Sequence, residues 1–346
     1  MRTHNMRQFD TMLPDLNGKS IMITGGSGSF GMSFIKQIVK QYKPRRLIVF
    51  SRDEYKQFMM AQSLQGPEYN CMRYFIGDVR DVERLEMAMS RVNIVIHAAA
   101  LKHVSVAEYN PFECIKTNVY GAENVVRAAL RTGVEKVIAL STDKAANPAN
   151  LYGASKLASD KIFIAANSLS GEDGATFSVV RYGNVIGSRG SVFPFFQKLA
   201  AEGATEIPIT DARMSRFWVT VEQSVNFVLS SLQLMRGGEI FVPKIPSMKV
   251  VDIAKTLAPE ASLRFIGIRP GEKLHEVMIT DDDARTTLEL DDRFVIEPQY
   301  FSKERADLVV EAKPVPNDFR YASDTNGEWL DSNDLSALIK STKVWS

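Results

Sequence analysis

The chain has 346 residues, 45% of them apolar and 24% charged, with a formal net charge of +1. That is the composition of a globular chain of one large or two modest domains, and the near-zero charge gives no case for nucleic acid or an anionic membrane. No apolar run approaches the roughly 18 residues of a bilayer span, and two cysteines, Cys71 and Cys114, suggest neither a disulfide framework nor a zinc site.

In chain order, Met1 to Leu16 lacks the apolar stretch of a signal peptide and reads as an arm, floppy or docked. With the reduced cysteines this fits a cytoplasmic protein. Lys19 to Thr24 is a short apolar run followed by glycines, and Phe30 to Val39 comes next at helical spacing. Further runs are Leu47–Phe50, Met72–Ile76, Ile94–His97, Val137–Leu140 and Phe177–Arg181. Helix-like stretches lie between them: Tyr55–Ser63, Val82–Ser90, Tyr120–Arg131 and Lys156–Asn167. Short continuous apolar strands alternating with helices predict an α/β fold, a doubly wound parallel sheet of Rossmann type covered on both faces. After Asn184 glycine, proline and short mixed segments dominate. The expected division is a dinucleotide domain over 17–183, continued near 214–242, and a smaller interleaved substrate lobe from 184–213 and 243–346. Residues 1–16 form the arm.

Thr24 to Gly31 (TGGSGSFG) stands between the first strand and its helix. Gly25, Gly28 and Gly31 allow a tight turn, a close backbone approach to a pyrophosphate, and a helix seated on the sheet. Ser27, Ser29 and Phe30 complete the loop, and the helix N-terminus faces the phosphates with its positive end. The spacing Gly-x-x-Gly-x-x-Gly resembles that of the short-chain dehydrogenase/reductase superfamily. At the end of the second strand Ser51 stands where an acid would take the ribose hydroxyls of NAD, and Arg52 follows it. A hydroxyl beside a guanidinium suits a 2′-phosphate, so NADP is expected. The alternative is an ordinary loop arginine, with Asp53 as the acid; Lys56 is counted with this loop. Gly77-Asp78-Val79-Arg80-Asp81 resembles the adenine-contacting loop of the extended members of that superfamily; a helix N-cap through Asp78 or Asp81 is the alternative, and the two are compatible. Ala98, Ala99 and Ala100 offer small side chains where a cofactor passes; a core alanine run is the bland alternative.

The fifth strand ends in Ser141-Thr142-Asp143-Lys144, and Tyr152-Gly-Ala-Ser-Lys156 follows. Tyr152 and Lys156 share a helix face. A free phenol has a pKa of about 10, too high for a base at neutral pH, and a nearby ammonium lowers it. Lys156 can therefore make Tyr152 a base toward a sugar hydroxyl, with Thr142 as hydroxyl partner. Asn118 matches the helix asparagine that supports such sites. Hydride transfer leaves Asp143 and Lys144 unexplained. Two solvated loop charges would be the plain reading, but they stand at the carboxyl end of a parallel strand, where α/β sheets bind ligands.

The run STDKAANPANLYGASK strongly resembles the inverting UDP-N-acetylglucosamine 4,6-dehydratases of pseudaminic acid synthesis. So do FSRDE, FIGDVRD, HAAALKHV, RYGNVIGSRGSV, IPITDARMSRFW and IRPGEKLHE, nearly throughout the chain. The resemblance implies a cycle on UDP-N-acetylglucosamine. Tyr152 takes the proton of the sugar 4-hydroxyl while hydride leaves C4. Lys144, as neutral amine, takes the C5 proton, and Asp143, protonated, gives its proton to the departing C6 hydroxyl. Hydride returns to C6, and C5 is reprotonated on the opposite face, by water or by Lys144. NADP is regenerated and stays bound. The resemblance also puts Lys102 at cofactor and substrate, and Asn184, Val185, Gly190, Ser191 and Val192 at the sugar diphosphate. Thr210, Met214 and Arg216 become the uracil and ribose wall, Arg269 a diphosphate clamp and Glu272 a ribose acceptor. No metal is implied. The resemblance implies a homo-oligomer, with a hexamer expected, and no membrane or nucleic-acid partner.

Rival readings differ at named residues. A UDP-sugar C4-epimerase would use Tyr152 and Lys156 without Asp143 and Lys144. Retaining 4,6-dehydratases carry Thr-Asp-Glu where this chain has Thr142-Asp143-Lys144. The membrane-anchored branch and its soluble capsule-pathway relatives carry methionine where Tyr152 stands. A non-catalytic NADP-sensing protein on the same fold would lose the tyrosine.

Overall fold

The computed structural model describes residues 6–171, 174–188, 190–299 and 312–341. Residues 1–5 of the expected arm, residue 189 of the expected diphosphate segment, and 300–311 and 342–346 of the expected lobe lie outside the described residues.

Six strands form as the apolar runs predict: β1 (Ser20–Thr24), β2 (Arg46–Ser51), β3 (Met72–Ile76), β4 (Ile94–His97), β5 (Lys136–Thr142) and β6 (Thr176–Tyr182). They pair in parallel in the order β3-β2-β1-β4-β5-β6, and Ile240–Pro243 joins β6 in parallel. Every residue of β1 is buried, as is expected where helices cover both faces. The helix Ser29–Gln41 buries Gly31, Phe34, Ile35 and Ile38, one stripe at helical spacing. The strand order reverses between β1 and β4, so the crevice for a ligand opens at their carboxyl ends.

Beyond Ile240–Pro243 the sheet continues antiparallel through Arg293–Ile296, Thr287–Glu289 and Lys313–Pro314. The expected lobe was drawn to include all of 243–346, and here it divides. Phe294, Val295 and Ile296 are buried and cover the edge of Ile240–Pro243, which would otherwise be an open apolar edge. Ile245, Met278, Ile279, Ala284, Val315 and Tyr321 also join the main core. A second core gathers Met248, Val250, Val251, Ile253 and Ala254 with Phe193, Phe196, Ile207, Ile209 and Trp218. Its frame is the sheet of Asn184–Val185, Ser215–Val219 and Ser247–Lys249, with Glu206–Ile209 paired to Ser262–Phe265. No helix among the described residues is long and apolar enough to cross a membrane.

Candidate active site

A cleft of about 780 Å³ opens at the switch point. Its floor is the glycine turn after β1. Gly25 has φ +66, and a Cβ there would lie 2.9 Å from the backbone of Ala99. Gly31 does not line the cleft; a Cβ on it would come within 2.1 Å of the Gly26 carbonyl, so it seats the helix on the turn. The helix Ser29–Gln41 has neither a side-chain cap nor an acid in its first turn. No cap side chain or first-turn acid therefore competes with an anion at this end, and Ser27, Gly28, Ser29 and Phe30 line the cleft. That is a fit for a dinucleotide's pyrophosphate.

Ser51, Arg52, Asp53 and Lys56 line the adjoining wall. Asp53 caps the next helix by accepting from the Lys56 amide at 2.9 Å, and its carboxylate pairs with Lys56 Nζ at 2.8 Å. Arg52 is half exposed and 3.5 Å from Asp78. Asp78 accepts from the Arg80 amide at 3.0 Å. Burial alone would raise its carboxyl, but the Arg80 contacts and the Arg52 charge hold it below the usual range. Asp81, not Asp78, caps the helix Val82–Met89. Val79, Ala98, Ala99, Ala100 and Lys102 also line the cleft. Thr24 Oγ1 accepts from the Ala98 and Ala99 amides at 3.2 Å each, which fixes the alanine turn.

At the other end, β5 delivers Thr142, Asp143 and Lys144 to the cleft, and the helix Leu151–Ser170 delivers Tyr152 and Lys156. This helix begins five residues before the predicted Lys156–Asn167, because Asn150 caps it by accepting from the Gly153 amide at 2.8 Å. Asn118 sits in a π-helical turn, Lys116–Tyr120. Its side chain accepts from the Leu101 amide at 2.8 Å and donates to the Leu101 carbonyl at 3.0 Å and Ser155 Oγ at 2.9 Å. It fixes the loop carrying Lys102 to the helix of Tyr152. Extra-residue turns of this kind gather at functional sites.

Thr142 Oγ1 donates to Asp143 Oδ1 at 2.9 Å. Lys144 Nζ lies 3.1 Å from Asp143 Oδ1 and 3.0 Å from Glu276 Oε1. Both carboxylates are 1% exposed. Burial lowers the Lys144 ammonium, but attraction to Asp143 and Glu276 outweighs this and raises it above its ordinary value. Two carboxylates favour the charged form, so the neutral amine expected for the reaction has to be reached by loss of a proton. Burial pushes Asp143 up against the pull of Lys144, in the direction of the protonated acid expected there.

Tyr152 is pushed up to about 12, chiefly by burial; the charge of Lys144 and a hydrogen bond with Thr142 pull it down. The cation expected to serve Tyr152 was Lys156. Lys144 is the charge that most lowers Tyr152 in this arrangement, and Lys156, which lines the same cleft, is itself lowered by burial and raised by the charge of Asp160. Asp160 accepts from Ser141 Oγ at 2.8 Å and meets Arg181 at 3.5 Å.

The expected substrate residues divide. Asn184, Val185, Gly190 and Ser191 line the cleft, and Asn184 Oδ1 and Ser191 Oγ are buried with no hydrogen-bond partner. Val192, Thr210, Met214, Arg216, Arg269 and Glu272 are not in its lining. Met214 is 3% exposed in the second core. Arg216 donates to the carbonyls of Ser215, Lys273 and Leu274 and stands 3.7 Å from Glu276. Arg269 and Glu272 pair with each other at 2.6 Å.

Sequence reasoning missed Glu276. Its signal was the last residue of IRPGEKLHE, beyond the Arg269–Glu272 turn that drew attention. Gly77, from the expected adenine loop, lines the cleft, and so do Phe50, Thr117 and Tyr182, which were not foreseen.

Comparison with known proteins agrees with this geometry. Residues 21–298 match the family described as "Polysaccharide biosynthesis protein". The chain belongs to that family. Over 333 residues it is 55% identical to the UDP-N-acetylglucosamine 4,6-dehydratase (inverting) of Campylobacter jejuni subsp. jejuni serotype O:23/36 (strain 81-176), covering 94% of this chain and 99% of that one. It is 40% identical to the UDP-glucose 4-epimerase of Rickettsia canadensis (strain McKiel), over 80% of this chain and 82% of the other. Among solved structures, Pen from Bacillus thuringiensis matches with a TM-score of 0.86 and 35% identity, over 95% and 99% of the two chains. Within the family, the kinship with inverting dehydratases expected from the motifs is borne out.

Proposed function

We propose that this member of the family is an inverting UDP-N-acetylglucosamine 4,6-dehydratase. Its product would be UDP-2-acetamido-2,6-dideoxy-L-arabino-hexos-4-ulose, the opening intermediate of pseudaminic acid synthesis. One observation carries the reading: Asp143 and Lys144 share a single cleft with Thr142, Tyr152 and Lys156. An epimerase needs only the last three. A second acid–base pair is what loss of water requires, since one group must take the C5 proton and another must protonate the leaving hydroxyl.

The glycine turn, Arg52, Asp78 and Ala98–Ala100 would hold a nicotinamide dinucleotide, which when bound would supply the hydride chemistry at C4 and C6. NADP is favoured because Ser51 leaves no acid at the ribose position, while Asp53 is turned into a helix cap and an ion pair with Lys56. Tyr152 takes the proton of the 4-hydroxyl as phenolate, the form that the charge of Lys144 and the hydrogen bond with Thr142 favour, and gives one proton equivalent back when C5 is reprotonated. The resting ammonium–carboxylate pair of Lys144 and Asp143 reaches the working pair, neutral amine and neutral acid, by one internal proton transfer along the 3.1 Å contact. Lys144 then takes the C5 proton, and Asp143 protonates the departing oxygen. Both return to their resting charges.

The test is incubation with UDP-N-acetylglucosamine in D₂O, followed by NMR. A 6-methyl, 4-keto sugar with deuterium at an inverted C5 is expected. Inversion at C4 alone, or retained configuration at C5, overturns the reading. Cofactor released from the purified protein should be NADP; NAD would overturn that part.

A further inference from the structure

Glu276 lies outside the lining of the cleft, yet it is among the most completely buried acids of the molecule, 1% exposed. Oε1 is 3.0 Å from Lys144 Nζ and 3.7 Å from Arg216 Nε. Oε2 has no hydrogen-bond partner, and Lys273 Nζ stands 3.9 Å from it. A carboxylate this deep is costly unless it is matched by charge. Arg216 is already spread over three backbone carbonyls, and Lys273 Nζ donates to the Ala146 carbonyl at 2.7 Å. Lys144 is thus the partner that Glu276 meets at hydrogen-bond distance.

The elimination gives this pairing a purpose. The 4-ketone acidifies C5, so the C5 proton leaves before the C6–O bond breaks. During that interval Lys144 has become an ammonium while Asp143 still carries the proton meant for the leaving hydroxyl. Asp143 is then neutral and cannot balance Lys144. A second carboxylate that takes no part in the proton count must do so. We propose that Glu276 is a positioning residue for Lys144, aiming its Nζ into the cleft and supplying the counter-charge when that nitrogen takes the C5 proton. The proposal deepens the dehydratase reading and rests on it. The proton balance is unchanged: C5 loses one to Lys144, the leaving oxygen gains one from Asp143, and Glu276 neither gains nor loses.

The test compares Glu276→Gln with the unaltered enzyme. The groups facing Lys144 are Asp143, Glu276, Arg216, Tyr152 and Lys273, so removing one negative charge leaves Lys144 with a weaker hold on its proton. Because Glu276 does not line the cleft, KM should change little, while kcat falls about 100-fold, within the span of one general base. The limb of the kcat–pH profile set by the Lys144–Asp143 pair should move to lower pH. The isotope effect on kcat with substrate deuterated at C5 should grow, since C5 deprotonation becomes slower. A structural role alone would leave both the profile and the isotope effect in place. Glu276→Asp keeps the charge but draws it back from Lys144 Nζ, so it should recover part of kcat with the pH profile unmoved and the isotope effect still above that of the unaltered enzyme; if Glu276→Gln does not fold, that larger isotope effect is the test, and an isotope effect equal to the unaltered enzyme's overturns the proposal. Unchanged kcat, profile and isotope effect overturn the proposal. Failure of the dehydratase reading is a separate result: the unaltered enzyme would then make no 6-methyl, 4-keto product.

Discussion

At Lys144 one ammonium answers to Asp143, to Glu276 and to the phenol of Tyr152. Its replacement therefore touches both halves of the reaction. In Lys144→Met the C5 proton has no acceptor, and dehydration should fall about 1,000-fold, in the range of lost general-base catalysis. Tyr152 also loses the charge that most lowers it, so its proton becomes harder to remove. Substrate oxidation at C4 should then demand higher pH than in the unaltered enzyme, a shift that stopped-flow measurement of the first turnover would detect. If Lys144→Met still released the 6-methyl product at the unaltered rate, Lys144 would not be the base. Asp143 and Lys144 were legible because they are consecutive and end a strand. Glu276 was not, because it comes from far along the chain, next to the strand Val277–Ile279 that packs on the Asp143–Ala145 turn, and distance along the chain says nothing of who meets whom. The pairing of Arg269 with Glu272, each half of a ligand site by motif, was equally invisible: only the fold shows that their charges close on each other.

Among the elements, the helix Leu151–Ser170 matters most, because its first two turns carry Tyr152 and Lys156. Asn150 does two things at its start. Oδ1 accepts from the Gly153 amide at 2.8 Å, and Nδ2 donates to the Gly271 carbonyl at 2.8 Å, tying the helix to the Arg269–Glu272 turn. Asn150→Ala should cost about 1–2 kcal/mol for the lost cap, read from urea unfolding. It should also lower kcat, since the helix start is no longer held to the turn. Asn150→Ser restores a cap but is too short to reach Gly271, so stability should recover while kcat stays low. Recovery of both would show that the tether is idle. The parallel strands were readable because continuous apolar runs admit few other homes. The start of this helix was not, since Tyr-Gly-Ala-Ser hides the apolar period and only Asn150 marked the boundary. The π-helical turn at Lys116–Tyr120 had no sign at all: one extra residue within a helical run leaves composition unchanged.

For the molecule as a whole, the open question from sequence was whether the N-terminal arm is loose or docked, and its described part is docked. Phe9 is 3% exposed and meets Phe227 edge to face, centroids 5.1 Å apart. Gln223 and Asn226 donate to the carbonyls of Arg7 and Gln8, both at 2.8 Å, and Arg7 reaches Glu328 at 2.7 Å. The helix Val221–Leu234 that receives the arm also packs on β5 and β6. The arm thus bridges the main sheet's helix layer and the chain near Glu328, and its worth depends on which contacts carry it. The Arg7–Glu328 pair is about one-third exposed on both sides, so screening leaves it worth about 1 kcal/mol or less. Removing the buried Phe9 ring forfeits its transfer energy and leaves a cavity against Phe227, about 3–5 kcal/mol. Phe9→Ala should therefore lower the urea midpoint strongly and Arg7→Ala only slightly. Neither residue lines the cleft, so kcat measured well below the unfolding temperature should match the unaltered enzyme in both variants. Equal, small losses in the two would mean that the arm lies on the surface and adds nothing to the core.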